Sequence, residues 1–332
     1  MDSGLLQAKG LKISSRNAIY VEGGFDRERI SFVGSGSEGV FYEVPYEKFY
    51  AKGTLDEGKA YLEEFDVEMG KEQTLAGSLD FDLKTRQANY RLVGKYDIGA
   101  LPWFGKAWTQ AFSYFRNFVP EFACSLSTQP KQPPFVNGVG LARGFAYRSV
   151  SPDETYAAFS SLGGVTGLEV GVKMGVQEAT GRLRFDPEIS GRIQGVILPE
   201  TLAAVALEEV PEALTALKFS TPPFVSARFN KEKYEAKLRT LLGFSFYALN
   251  FEGVAARAEG TLEGSDIELL NFGFWGGKGD AKIRVNADET ASGRFYVKNA
   301  DFGSWSLFGP LAQGLQGTLL GFTTLKLESV EG

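Results

Sequence analysis

Histidine does not occur in the 332 residues of this chain, and cysteine occurs once, as Cys124. Without an imidazole, the Ser-His-Asp and Cys-His nucleophilic devices are excluded. Zinc sites built on His and Cys go with them, and no intrachain disulfide can form. A chain without disulfides suits a reducing compartment, and equally an exported protein stabilised by other means. Cys124, in the apolar run EFACSL, reads as a small buried hydrophobe. No stretch reaches the roughly eighteen consecutive apolar residues of a spanning helix. The opening MDSGLLQAKG has no basic region followed by an apolar one, so no signal peptide is expected in it. The targeting segment of an exported parent would lie outside this sequence. Charge of a single sign is also missing: 35 Lys+Arg stand against 41 Asp+Glu, for a net charge of -6. With no polybasic block, neither nucleic acid nor acidic lipid head groups are advertised as partners. KEKYEAKLR (231–239) reads as a solvated face.

Glycine and phenylalanine are abundant, at 40 and 27 residues, and 43% of the chain is hydrophobic. Strand patterns dominate. In SLDFDLKTRQANYRLVGKYDI (78–98), Leu79, Phe81 and Leu83 alternate with Asp80, Asp82 and Lys84. After a polar turn, Tyr90, Leu92, Tyr96 and Ile98 continue the period of two. GRLRFDPEISGRIQGVI (181–197) repeats the design with Leu183 and Phe185, an Asp-Pro turn, then Ile189, Ile193 and Ile197. AKIRVNADETASGRFYVKNADF (281–302) does so again with Ile283, Val285, Phe295 and Val297. Each hairpin has one apolar face and one charged or small face, as in an antiparallel sheet with one side wet.

Internal repetition follows. AKGTLDEGKAYLEEFDVEMG (51–70) lies over AEGTLEGSDIELLNFGFWGG (258–277) without a gap, matching Gly53, Leu62 and Phe65 to Gly260, Leu269 and Phe272. Helical spacing is confined to about 100–118 and about 199–219, where Pro211 should break or kink the second helix. QPPFVNG (from 132) and TPPFVSA (from 221) each mark where a helix stops and a strand starts, because Pro-Pro cannot continue a helix. The chain is therefore expected to hold three β units: 1–132 ending in the helix at 100–118, 133–221 ending in the helix at 199–219, and 222–332, which closes in SWSLFGPLAQGLQGTLL (304–320).

Motifs for chemistry are weak. GSGSEG (34–39) matches a dinucleotide fingerprint literally, but it leads into another strand and reads as a glycine-rich turn. GGKGDA (276–281) lacks the spacing of a phosphate loop and reads as a hairpin turn. Asp80/Asp82 and Glu63/Glu64 fall where strands or turns expose them. No catalytic residue, cofactor or metal is expected, and the chain is read as a non-enzyme. The apolar strand faces are what remain. Alternating Leu, Phe and Ile is ordinarily core, but helices are too few here to cover such a sheet. Either two sheets pack face to face, or a curved sheet keeps an apolar trough partly open for a ligand.

The segment GTLEGSDIELLNFGFWGGKGDAKIRVNADETASGRFYVKNADFG (260–303), its counterpart at 53–99 and the PPFV joints resemble the AsmA-like family, whose relatives include the TamB-type proteins among the bridge-like lipid-transfer proteins. The resemblance covers most of the chain from about residue 50, by pattern and glycine placement. It implies a mostly β fold: an elongated, curved, taco-like antiparallel sheet of repeated strand units with a few short helices at unit joints. In such a β-groove, Leu79, Phe81, Leu83, Leu92, Leu183 and Phe185 would contact acyl chains, as would Ile193, Ile283, Val285, Phe295 and Val297. The implied partners are a phospholipid or other acyl lipid, a membrane reached through an anchor helix absent from this sequence, and periplasmic proteins. The implied setting is the periplasm of a Gram-negative bacterium, in a parent anchored in the inner membrane and serving inter-membrane lipid transport or outer-membrane biogenesis. The alternatives are a closed structural or adhesive β-repeat module, an outer-membrane β-barrel, and a carbohydrate-active enzyme on a β scaffold.

Overall fold

The computed structural model describes residues 13–15, 20–26, 29–41, 44–70, 72–97, 112–130, 135–162, 165–184, 188–206, 209–210, 212–246, 249–261, 263–286, 291–301 and 318–327. The chain divides into two compact units, Met1–Val172 and Lys173–Gly332. Strands predominate among the described residues, in curved antiparallel sheet that is not closed into a barrel there.

Unit 1 contains β1 (Ile13–Ser15), β2 (Tyr20–Asp26), β3 (Arg29–Phe41), β4 (Val44–Asp56), β5 (Lys59–Glu68), β6 (Thr74–Asp82) and β7 (Ala88–Lys95). It continues with β8 (Phe115–Arg116), β9 (Glu121–Thr128), β10 (Phe135–Arg143), β11 (Ala146–Tyr147) and β12 (Glu154–Leu162). β1 and β2 share one edge of β3, and β4 takes the other. From β3 to β7 each strand pairs with the next, then β7 pairs β9, β9 pairs β10 and β10 pairs β12, all antiparallel. β13 (Val165–Met174) crosses the boundary between the units.

Unit 2 holds β14 (Gln177–Arg184), β15 (Ser190–Val196), helices α1 (Pro199–Ala206) and α2 (Glu212–Thr215), β16 (Leu217–Phe219), β17 (Phe224–Asn230) and β18 (Lys233–Phe246). β19 (Leu249–Thr261), β20 (Gly264–Phe274), β21 (Gly277–Asn286), β22 (Ala291–Asp301) and β23 (Thr318–Leu327) complete it. β14 pairs β15, β15 pairs β17, and the meander then runs unbroken from β17 to β23. β16 lies beside the far end of β18.

Local chemistry accounts for the turns. Glu57-Gly58 and Trp275-Gly276 sit at positive φ (45° and 83°, 46° and 72°), the geometry that matches a two-residue loop to strand twist. GGKGDA thus opens β21 directly after a hairpin turn, as expected. Between β6 and β7 the Asp82 carboxylate accepts the N–H groups of Lys84 and Thr85, both at 2.8 Å. These bonds, the Thr85 N–H first, hold that carboxyl below the usual carboxylate range.

Both PPFV phrases start a strand at their phenylalanine, Phe135 in β10 and Phe224 in β17. Neither, however, directly follows a helix: β9 precedes the first and β16 the second. β9 was hidden in EFACSLST, which its short apolar run and three hydroxyl residues left without a clear period. The helix expected at 199–219 is broken as Pro211 demands: α1 stops at Ala206, α2 is one turn, and the last residues pair as β16. The helix expected at 100–118 falls largely outside the described residues. Its end is not helical, because Phe115 and Arg116 pair with Tyr147 and Ala146. There Phe115 stacks on Phe118, Phe145 and Tyr147 at 4.6, 6.0 and 4.7 Å, contacts one more helical turn would not make. GSGSEG is likewise corrected. It lies within β3, laddered on both edges, with Glu38 at φ 51° between the Ser37–Lys48 and Gly39–Tyr46 pairs and the register unbroken. The 304–320 segment lies outside the described residues up to β23.

The sequence repeat has a structural counterpart. β5 bulges against β6 between Leu62 and Phe65, and β20 bulges against β21 between Leu269 and Phe272. After each bulge a phenylalanine stands opposite a glycine, Phe65 over Gly77 and Phe272 over Gly279. A Cβ on those glycines would sit 3.1 and 2.6 Å from the ring. Phe32 covers Gly53 and Tyr234 covers Gly260 in the same way. Bulges and aromatic-covered glycines let a sheet curl while keeping its register. The hairpin turns differ, at 57–58 in one copy and 262–263 in the other, so Gly53 pairs Leu62 whereas Gly260 pairs Ser265.

Candidate functional site

Directly opposed residues in a ladder share a face, so the registers assign every strand position to one side of its sheet. In unit 1 one row runs Leu62, Leu79, Tyr90, Leu126, Val136 across β5, β6, β7, β9 and β10. A second runs Phe65, Gly77, Leu92, Cys124, Gly138, and a third joins Ala60, Phe81 and Ala88. On this side of β5 through β10 the strands present no Lys, Arg, Asp or Glu. The opposite side carries Glu64, Asp66, Asp80 and Arg91, all exposed.

Unit 2 has the same two-faced construction. Ile193, Ala227, Ala236, Ala258, Ile267 and Ile283 form one row across six strands. Leu183 flanks that row, as do Val285, Phe295 and Val297 through Ser265, Ala281 and Gly279. From β14 to β22 this face too is free of charged side chains. On the other face Lys282 bonds Glu268 at 2.7 Å, Arg284 bonds Asp266, and Arg257 bonds Glu259. The Lys282 bond holds the Glu268 carboxyl below its ordinary range, and Glu268 in turn raises the Lys282 ammonium.

The structure therefore gathers Leu79, Phe81 and Leu92 on one face of unit 1, and Leu183, Ile193, Ile283, Val285, Phe295 and Val297 on one face of unit 2. Leu83 sits in the turn beyond β6, 50% exposed, with its N–H bonded to the Gly58 carbonyl at 2.9 Å. Phe185 lies outside the described residues. Of those placed on the faces, Val297 alone is buried; the others are half-buried. Half-burial is what neighbours on the same sheet provide, and a second layer would remove the remainder. Among the described residues the only large side chains fully buried are Phe272 and Pro223.

Aromatic clusters close one end of each face, a feature the sequence reading missed. In unit 2 the rings of Phe219, Phe244, Phe251 and Phe274 follow one another at 5.5, 4.8 and 5.1 Å, and beside them Phe272 lies 5.8 Å from Phe251 and Phe295 5.7 Å from Phe274. α1 lies at the same end, where Leu202 packs on Ala179, Ile197 and Val225. In unit 1, Phe112, Phe115, Phe118, Phe145 and Tyr147 gather where the chain leaves β7 and returns as β9. The alternating Phe244, Phe246 and Phe251 in GFSFYALNF were the available signal. Cys124 belongs to the unit 1 face, half-buried beside Leu92, and burial pushes its thiol above the usual range.

No group of three or more Cys, Asp or Glu converges for a metal among the described residues. What the faces offer is hydrocarbon. No protein-family model, curated protein or solved structure matches this chain.

Proposed function

We propose that this chain is a non-enzymatic lipid-binding protein that holds acyl chains against the apolar faces of its sheets. The observation that carries this reading is a contiguous, charge-free face in each unit whose Leu and Ile side chains are half-buried, with Phe272 and Phe274 buried at one end of unit 2. Apolar area left in water is a driving force, and each methylene removed from it contributes about 0.8 kcal/mol. A chain of ten or more methylenes would thus be held without any charged anchor. The resemblance to AsmA-like proteins supports the wider setting: a segment of a periplasmic conduit, anchored in the inner membrane through a part outside this sequence, passing lipid between membranes or serving outer-membrane biogenesis. An open sheet weighs against the outer-membrane barrel, and half-burial weighs against the sealed structural module.

Native mass spectrometry and lipid extraction of the purified chain test the proposal. An amphiphile co-purifying with the protein is the expected result. Protein that emerges lipid-free and also leaves a fluorescent fatty-acid probe unbound would sink it.

A further inference from the structure

The outward face of unit 2 carries a charge pattern that the linear sequence does not display. In register across β14, β15 and β17, Arg182, Arg192 and Arg228 stand directly opposite one another. Arg184 is next along β14, and β18 adds Lys233, Lys237 and Arg239 on the same side. Against these seven cations the same outward positions supply two carboxylates, Glu178 and Glu235. The net charge of the whole chain is -6, so this concentration runs against the average. Strands lie about 4.8 Å apart, and like charges opposite one another at that spacing cost stability. The row meets Glu235 opposite Arg228 on β18, and with Arg184, Lys233, Lys237 and Arg239 beside it the surface stays net cationic and complementary to an anionic partner. The field is felt locally: Lys237, then Arg257 and Arg228, hold Glu235 below the usual carboxylate range.

A second feature adjoins the first. The row bordering the cations runs Val196, Phe224, Arg239, Ala255, Leu270, and Val196, Phe224 and Leu270 are 39%, 50% and 41% exposed. Just beyond Arg239, the bulge in β18 pushes out Leu241 and Leu242, at 80% and 52% exposure. A cleft of about 290 Å³ opens among Phe224, Arg239, Ala255 and Leu270. Exposed aliphatic and aromatic side chains beside a cationic field gain nothing from a soluble polyanion. Both features are used together at the surface of a bilayer, where cations meet phosphates and apolar side chains enter the head-group region.

We propose that the outward face of unit 2 docks on a bilayer containing anionic phospholipid, with the β14–β18 cations on the phosphates and Phe224, Leu241 and Leu242 inserted at the rim. This docking is independent of whether the inward face holds lipid, and its readout is separate.

Flotation of the full chain with extruded vesicles tests it, comparing phosphatidylcholine alone with phosphatidylcholine carrying about one third phosphatidylglycerol. Wild type should float with the anionic vesicles only, and rising salt should weaken but not abolish the association. The variant R182Q/R192Q/R228Q should bind about a hundredfold more weakly. L241S/L242S should still bind at low salt and come off completely at high salt. Equal binding to neutral vesicles, failure to bind anionic ones, or an unchanged arginine variant would each overturn the proposal. So would arginine-dependent binding to a short DNA duplex without flotation, which would make the surface a polyanion site. The salt response of wild type needs no variant, so the test stands even if a substitution disturbs folding.

Discussion

Phe65 and Phe272 occupy the same place in two copies of one motif, each just past a bulge and each lying over a glycine of the next strand. Phe272 is 0% exposed, whereas Phe65 remains half-buried. The bulge is common to both, so the surroundings make the difference. Around Phe272 unit 2 places Phe251 and Phe295, with ring centroids at 5.8 and 5.1 Å. Around Phe65 unit 1 places Ala51 and, across Gly77, Leu92. One repeat thus spends its phenylalanines filling the uncharged face, and the other leaves that face less filled. Outward, the contrast is one of balance: β5 and β6 present Glu64, Asp66, Glu68, Asp80 and Asp82 against Lys59, while β14 to β18 present arginine and lysine against Glu178 and Glu235.

The largest effect expected from this contrast is on stability. Phe272→Ala should cost about 3–5 kcal/mol, and Phe65→Ala clearly less, since a half-exposed ring leaves a smaller cavity. Urea titration of each variant measures both. Equal losses would show that the two sites are packed alike.

Ligand binding comes next. Ile283→Asp places a carboxylate on the inward face of β21, where it must be desolvated or must exclude hydrocarbon. Lys282→Asp alters the outward side, losing the exposed pair with Glu268, whose worth is small. Co-purified lipid should fall sharply in the first variant and persist in the second, with both folded by circular dichroism. If Ile283→Asp only unfolds the protein, the face is a sealed core.

Much of this was legible beforehand, and the rest was not, for identifiable reasons. Alternation in 78–98, 181–197 and 281–302 placed Leu79, Ile193 and Ile283 on one side because a strand has a strict period of two. It could not show which residues of different strands stand in line, since that depends on bulges and on where each turn closes. Arg182, Arg192 and Arg228 are separated in the chain by glycines, a proline pair and two short helices, and only register unites them. GSGSEG reads as a turn because glycines punctuate loops, whereas a long strand paired on both edges tolerates them.

A smaller effect concerns the second PPFV joint. Pro223 is fully buried, and its carbonyl accepts the Ile197 N–H at 3.0 Å. Replacing Pro222 and Pro223 with Ala should cost about 1–3 kcal/mol by freeing the unfolded chain and emptying the ring's site. Thermal melting that matches wild type would show that the prolines are incidental.

The mildest test uses Cys124 as a reporter on the less filled face. Burial raises its thiol, which keeps the neutral form in the folded state at neutral pH. The stability this group contributes is therefore intact below the ordinary thiol range, and is lost as pH climbs through the raised value. Alkylation of the native protein should be slow near pH 7, accelerate only under more alkaline conditions, and slow severalfold further when acyl lipid is bound. Reaction as fast as in urea at every pH would place the thiol in water.

The meander itself carries a consequence for how such a protein changes over time. Among the described residues, from β4 to β6 and from β19 to β22 every strand bonds only to its neighbours in the chain. A duplicated or deleted hairpin therefore leaves all other registers intact and keeps each side chain on its original side. Each such event widens the sheet by about 10 Å. Width becomes an inheritable quantity, adjustable in steps of two strands without redesign of any existing contact.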